Sequence, residues 1–228
     1  MKKVIALVLA LSVGFGTSAL MAKKAKKFEG TVTYTITIGG DPSVASAMDM
    51  MPAEMLVATL KTKGQRSVMS VMGQKIYLDL KKKIQTSMID LSMLGMGTYC
   101  IENPYQADTG GFQPTYTGET KALCGHTAEK TTISNNGTTI DIWITRDIAL
   151  ETGVPLLPWL GGLVPLQFDI QSSSPGVGNI TITLTASEVK QQKVSADELV
   201  PPDGCQPITA DELQTLLKSL QNFGDEEY

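Results

Sequence analysis

Apolar and polar positions alternate with a period of two along most of the chain, the pattern of strands with one buried and one wet face. The clearest run is Phe28 to Ile38. Phe28, Val32, Tyr34, Ile36 and Ile38 share one side, and Thr31, Thr33, Thr35 and Thr37 the other. Met55 to Lys63, Arg66 to Met72, Lys75 to Leu80 and Ile84 to Leu91 continue the alternation. The residues between them, Lys63-Gly64, Met72-Gly73 and Lys81-Lys82-Lys83, are turn formers, so an antiparallel meander is expected. Thr115 to Ile148 reads as two strands and a hairpin turning at Asn135-Asn136-Gly137, because Asn and Gly tolerate the positive φ angles of a type I′ turn. Behind that turn Ile140, Ile142 and Ile144 alternate with Asp141, Trp143 and Thr145. Leu166 to Ile170 and Asn179 to Lys190 are the last expected strands.

The interruptions are equally informative. Asp41-Pro42 suits the start of a short helix through Met50, closed by Pro52. Ser92 to Pro114 loses periodicity and is expected to be a long loop. Gly153 to Pro165 is apolar yet carries three prolines and three glycines, which excludes a regular helix and makes it a candidate lid. Ser195 with Glu198 forms a capping box that Pro201-Pro202 ends after about one turn. Thr209 with Glu212 forms a second box, followed by the stripe Leu213, Leu216, Leu217 and Leu220 of a C-terminal helix that needs a surface to cover.

The first residues change the picture from fold to address. Met1-Lys2-Lys3, an apolar run from Val4 to about Val13 and a small-residue flank make a secretory signal peptide, too short to span a bilayer, with cleavage after Ala19 or Ala22. A periplasmic or secreted protein without a membrane span in its mature part is expected. The organisation is a signal peptide (1–22), a basic leader (23–27) that reads as solvated, a β domain (28–206), and a helix with an acidic tail (207–228). Cleavage leaves 17 basic against 23 acidic side chains, net −6, which disfavours a nucleic-acid partner.

Candidate chemistry is sparse. Cys100, Cys124 and Cys205 allow one disulfide in an oxidising compartment. Cys100 with Cys124, closing a loop of about 25 residues worth roughly 3 kcal/mol, is favoured, although any pairing or three free thiols fit the sequence. His126 is the single histidine, two residues from Cys124, with no acid marked to orient it. Metalloprotease, nucleophile-elbow and phosphate-loop motifs are absent from the sequence, so no catalytic residue is named and a non-enzymatic protein without a cofactor is expected. Thr117 to Lys121 is a turn with solvated charges or a loop presenting Glu119 and Lys121. Nine methionines fall between Met48 and Met96. Their thioethers would fill an irregular apolar groove or, at Met48, Met50, Met51 and Met55, ligate Cu(I).

The early Phe-x-Gly-x-Val-x-Tyr strand, Thr117-Gly-Glu-Thr-Lys121 with Gly125-His126, Trp143-Ile-Thr-Arg-Asp147 and Val194 to Pro201 together resemble secreted bacterial domains of unknown function related to the periplasmic lipoprotein-carrier fold. The resemblance covers roughly Phe28 to Pro202. It implies a mainly β fold, a strongly curved antiparallel sheet or incomplete barrel, whose concave face is covered by short helical segments. It also implies an apolar ligand, a lipid or lipoprotein acyl chain, in that hollow. Met69, Met88, Trp143, Leu157, Trp159 and Leu160 are the groove residues expected from apolar patterning and this likeness. The alternatives are a methionine-based copper protein and a ligand-free structural or interaction domain of the envelope.

Overall fold

The structure is a computed structural model and describes residues 26–40, 51–92, 95–105, 113–135, 138–157, 160–174 and 178–216. Among these, twelve strands form one sheet that curves but does not close into a barrel. In chain order they are β2 (Gly30–Gly40), β3 (Val57–Lys63), β4 (Arg66–Val71), β5 (Gln74–Asp79), β6 (Ile84–Asp90), β7 (Thr98–Pro104), β8 (Gln113–Leu123), β9 (His126–Asn135), β10 (Thr138–Thr145), β12 (Val164–Ser174), β13 (Gly178–Gln191) and β14 (Gln206–Pro207). Across the sheet the order is β14-β7-β6-β5-β4-β3-β2-β13-β12-β10-β9-β8. All neighbours are antiparallel except β14 with β7. A separate parallel pair joins β1 (Lys26–Lys27) to β11 (Ile148–Ala149).

The meander from β3 to β6 follows the sequence expectation closely. Met72 and Gly73 turn with φ of 47° and 78°, and Gly64 in the β3–β4 turn and Lys83 in the β5–β6 turn also take positive φ. Asn135 faces Thr138, the register of a two-residue hairpin, while Asn136 and Gly137 lie outside the described residues. Two expectations need correction. Thr115 to Ile148 holds three strands and two hairpins, because Cys124-Gly125 is a turn in its own right with φ of 50° and 76°. Part of the expected loop from Ser92 to Pro114 is strand β7, which pairs with β6 from Asp90↔Thr98 to Ile84↔Pro104. The short helix expected from Asp41 to Met50 lies outside the described residues, as do the signal peptide and most of the leader. Lys26 and Lys27, at the end of the expected leader, form strand β1, with Lys27 exposed.

The register sorts side chains into two cores. Val32 faces Leu60, Leu60 faces Met69, and Met69 faces Ile76, so one row of apolar residues runs along one face. Phe168, Leu184 and Ile36 form a parallel row across β12, β13 and β2. Apart from Ile76, the residues of these rows belong to one large cluster with Tyr34, Ile142, Ile144 and Leu166. Burial of this apolar area is the main stabilising term of the fold. On the other face, Val68, Tyr77, Met88 and Cys100 pack beneath Val194 and Leu199 of the segment that leaves β13.

That segment acts as a strap. Gln192 N donates to Glu29 O, Lys63 Nζ donates to Val194 O, and Lys61 pairs with Glu198. A turn at Asp197–Leu199 follows the predicted capping box, with Ser195 N donating to Glu198 Oε1 at 3.2 Å. The strap ends in a disulfide between Cys100 and Cys205, with Cα atoms 5.7 Å apart, and in β14. The favoured Cys100–Cys124 pairing is therefore overturned. Cys124 sits in the β8–β9 turn and is the free thiol, whereas parallel pairing of β14 with β7 sets Cys205 beside Cys100. The C-terminal helix starts at 210, capped as expected by Thr209 Oγ1 accepting from Glu212 N, and buries Leu213.

Candidate functional site

The large core is covered by residues 150–157 and 160–163, which include most of the described part of the Pro- and Gly-rich candidate lid from Gly153 to Pro165. At its base Leu150 N donates to Gly162 O at 2.8 Å. A Cβ on Gly162 would stand 2.6 Å from Leu150 O, so only glycine lets the two ends approach this closely. Inside the loop, Leu157 N donates to Val154 O and Leu160 N to Leu157 O. Val154 is fully buried, and Leu157 and Leu160 nearly so, because they seat in the large core. The polar backbone that enters with them is satisfied locally. Ser67 Oγ donates to Gly153 O at 3.2 Å, and Thr152 Oγ1 lies 3.4 Å from Thr62 Oγ1. Where the lid rejoins the sheet, Tyr34 Oη donates to Pro165 O at 2.9 Å.

Three of the expected groove residues, Met69, Leu157 and Leu160, meet in this cluster. Met88 does not join them. It faces Lys75, one position out of phase with the Met69–Ile76–Ser87 row, and lies under the strap with Tyr77 Oη 4.0 Å from its sulfur. The residues that share the face of Met69 on β5 are Ile76 and Leu78, both buried and both missed. The hairpin at Met72-Gly73 carried that information, since a two-residue turn fixes the register of both strands. Trp143 packs at the margin of the large core, with Lys121 Nζ 3.9 Å from its ring centroid. Partial burial lowers the pKa of that ammonium, and Asp169 opposes the shift. Trp159 lies outside the described residues.

The other candidates are also located. Glu119 and Lys121 part company: Glu119 Oε1 lies 3.7 Å from Lys130 Nζ, while Lys121 bonds Gln167. His126 Nδ1 is 3.4 Å from Asp147 Oδ2, an acid that sequence reading had not marked. The Cys124 thiol, however, donates to Ala186 O at 2.7 Å, and burial raises its pKa, which favours thiol over thiolate. This geometry ties the β8–β9 turn to β13. Of the four proposed copper ligands, Met48 and Met50 lie outside the described residues, Met51 precedes the turn Ala53–Leu56, and Met55 lies within it. Among the described residues no three His, Cys, Asp or Glu side chains converge as a metal site.

Among the described residues one buried side-chain polar atom is unsatisfied. Thr131 Oγ1 is fully buried without a hydrogen-bond partner, next to Ile142 in the β9–β10 register. Nearby, Arg146 lies 4.2 Å from the Tyr116 ring and its Nε 2.9 Å from Glu129 Oε2.

No family model and no curated protein matches this chain. Among solved structures it is similar to PNGF-II, with a TM-score of 0.51, 13% identity, and coverage of 83% of this chain and 33% of that one. The chain thus spans about a third of the length of that structure, and at this identity the likeness extends to the curved β fold alone.

Proposed function

We propose that this is a secreted or periplasmic, non-enzymatic binding module that takes an apolar ligand, a lipid or lipoprotein acyl chain, on the concave face of a lipoprotein-carrier-like half-barrel. The observation that supports this reading is the covering of an apolar sheet face by a Pro- and Gly-rich loop. Among its described residues that loop is held by few backbone hydrogen bonds of its own, and it inserts Val154, Leu157 and Leu160 into the core. Such a loop exchanges one apolar surface for another when it lifts, so an acyl chain replacing the three side chains costs little. In this reading Met69 forms the floor, and its flexible thioether adapts to chains of different shape. The disulfide is compatible with an extracytoplasmic address.

Native mass spectrometry of protein recovered from its own secretory compartment tests the reading. A mass excess matching a lipid, lost on denaturation, supports it. Delipidated, folded protein that binds no acyl chain at micromolar concentration contradicts it.

One observation favours a second reading, a ligand-free envelope domain. Tyr34, Phe168, Leu60, Met69 and Ile142 have at most 1% exposure, so the covered face is already packed by the chain's own side chains. Under that reading residues 150–163 are a permanent part of the core, and their amides are protected as strongly as those of β4.

A further inference from the structure

We propose that strand β1 is a latch that holds the lid shut. Residues 150–163 have two ends. The exit is continuous with β12, a strand in the middle of the sheet. The entry, residues 148–151, pairs with the N-terminal segment alone among the described strands, ahead of the contacts of Thr152 and Gly153 with Thr62 of β3 and Ser67 of β4: Lys26 pairs with Ile148, Lys27 with Ala149, and Phe28 N donates to Ala149 O at 2.9 Å. Lys27 Nζ adds an ion pair with Glu151, the first residue inside the loop. The next two residues fix the two ends of this arrangement. Phe28 is buried in the large core and anchors the latch, and Leu150 N closes the loop on Gly162 O.

The latch is weak by construction, as a releasable one must be. It contributes two paired residues, and its ion pair has side-chain exposures of 82% and 34%, the class of pair that adds little in water. Removing it leaves the twelve-stranded sheet intact, because neither β1 nor β11 belongs to it. The effect is therefore confined to the lid and its entry hinge. In a chain cleaved after Ala22, β1 lies within five residues of the new N-terminus, where pulling or capture of that end transmits directly to the lid. The role of the latch in admitting an acyl ligand rests on the function proposed above; the mechanical coupling does not.

Amide hydrogen exchange without any ligand tests the coupling, comparing a chain beginning at Lys23 with one beginning at Phe28 and with Lys27→Glu in the longer chain. The latch predicts that the amides of Leu150, Leu157 and Leu160 exchange at least about tenfold faster in the truncated chain and by a smaller factor in Lys27→Glu, with those of Val68 and Met69 unchanged. Unchanged lid amides in the truncated chain overturn the proposal. Equal acceleration everywhere overturns it too, since β1 is then a general staple of the fold. Failure of the protein to bind acyl chains would sink the proposed function and leave these exchange rates to decide the latch.

Discussion

Tyr34 and Pro165 are 131 residues apart in sequence, yet the Tyr34 hydroxyl donates to the Pro165 carbonyl at 2.9 Å inside the large core. Phe168 meets the same tyrosine edge-on, with ring centroids 6.0 Å apart. The bond ties β2 to the point where the lid becomes β12. Tyr34→Phe keeps the packing and removes this buried hydrogen bond, so a loss of about 0.5–1.5 kcal/mol in urea unfolding is expected.

Burial pushes the Tyr34 phenol pKa up, and the neighbouring Cys124 thiol adds to the shift. A group whose folded pKa exceeds its unfolded one stabilises fully below the unfolded value and loses that contribution as pH rises. Stability is therefore expected to fall above about pH 10, the ordinary tyrosine range. The fall should be shallower in Tyr34→Phe, as read from unfolding midpoints in an alkaline series.

The Cys100–Cys205 disulfide closes a sequence separation of 105 residues and fastens the strap over Tyr77 and Met88. The chain-entropy model gives a loop of this length roughly 4–5 kcal/mol. Cys100→Ser/Cys205→Ser should lose stability of that order, while Cys124→Ser, which leaves the bridge intact, should lose much less. Peptide mapping should recover the Cys100–Cys205 bridge, with Cys124 alkylated rapidly only after denaturation.

Acid should loosen the strap. The Val194 backbone N–H holds the Glu29 carboxyl below its usual pKa, and Lys61 does the same for Glu198. A depressed folded pKa means stability that is present above the unfolded value, near 4.3, and lost as pH falls through the folded one. Amides of Val194 and Ser195, which donate to these carboxylates, should lose protection below about pH 4.3 once intrinsic rates are corrected. Glu29→Gln with Glu198→Gln should remove that pH dependence.

The closeness of Leu150 and Gly162 makes a steric prediction. With its Cβ 2.6 Å from the Leu150 carbonyl, Gly162→Ala must shift backbone. A cost of roughly 1–3 kcal/mol is expected, with faster exchange at the Leu150 amide than at Met69. Gly161→Ala, at a site open to solvent but with φ of 64°, serves as the comparison for pure backbone strain.

The elements that sequence revealed are those whose signal is local. Alternation and tight turns located β2 to β6; the capping box at Thr209 forms in full, and at Ser195 its Glu198-to-Ser195 N half forms. What it missed depends on distant partners. Thr98–Pro104 is short and follows a Gly-rich stretch, and it becomes β7 because β6 and β14 flank it. Cys205 reaches Cys100 only once the strap has crossed the sheet, so proximity in sequence pointed to Cys124 instead. For the candidate site, apolar type alone grouped Met69 with Met88. One residue of register separates them to opposite faces.

That separation supplies the most direct test of the central claim. Methionine-methyl NMR of the delipidated protein, titrated with a long-chain acyl probe, reads both faces at once. The account predicts a saturable shift at the fully buried Met69, on the lidded face, and none at Met88, beneath the strap. A Met69 signal that stays fixed through micromolar to millimolar probe would contradict an acyl site on that face.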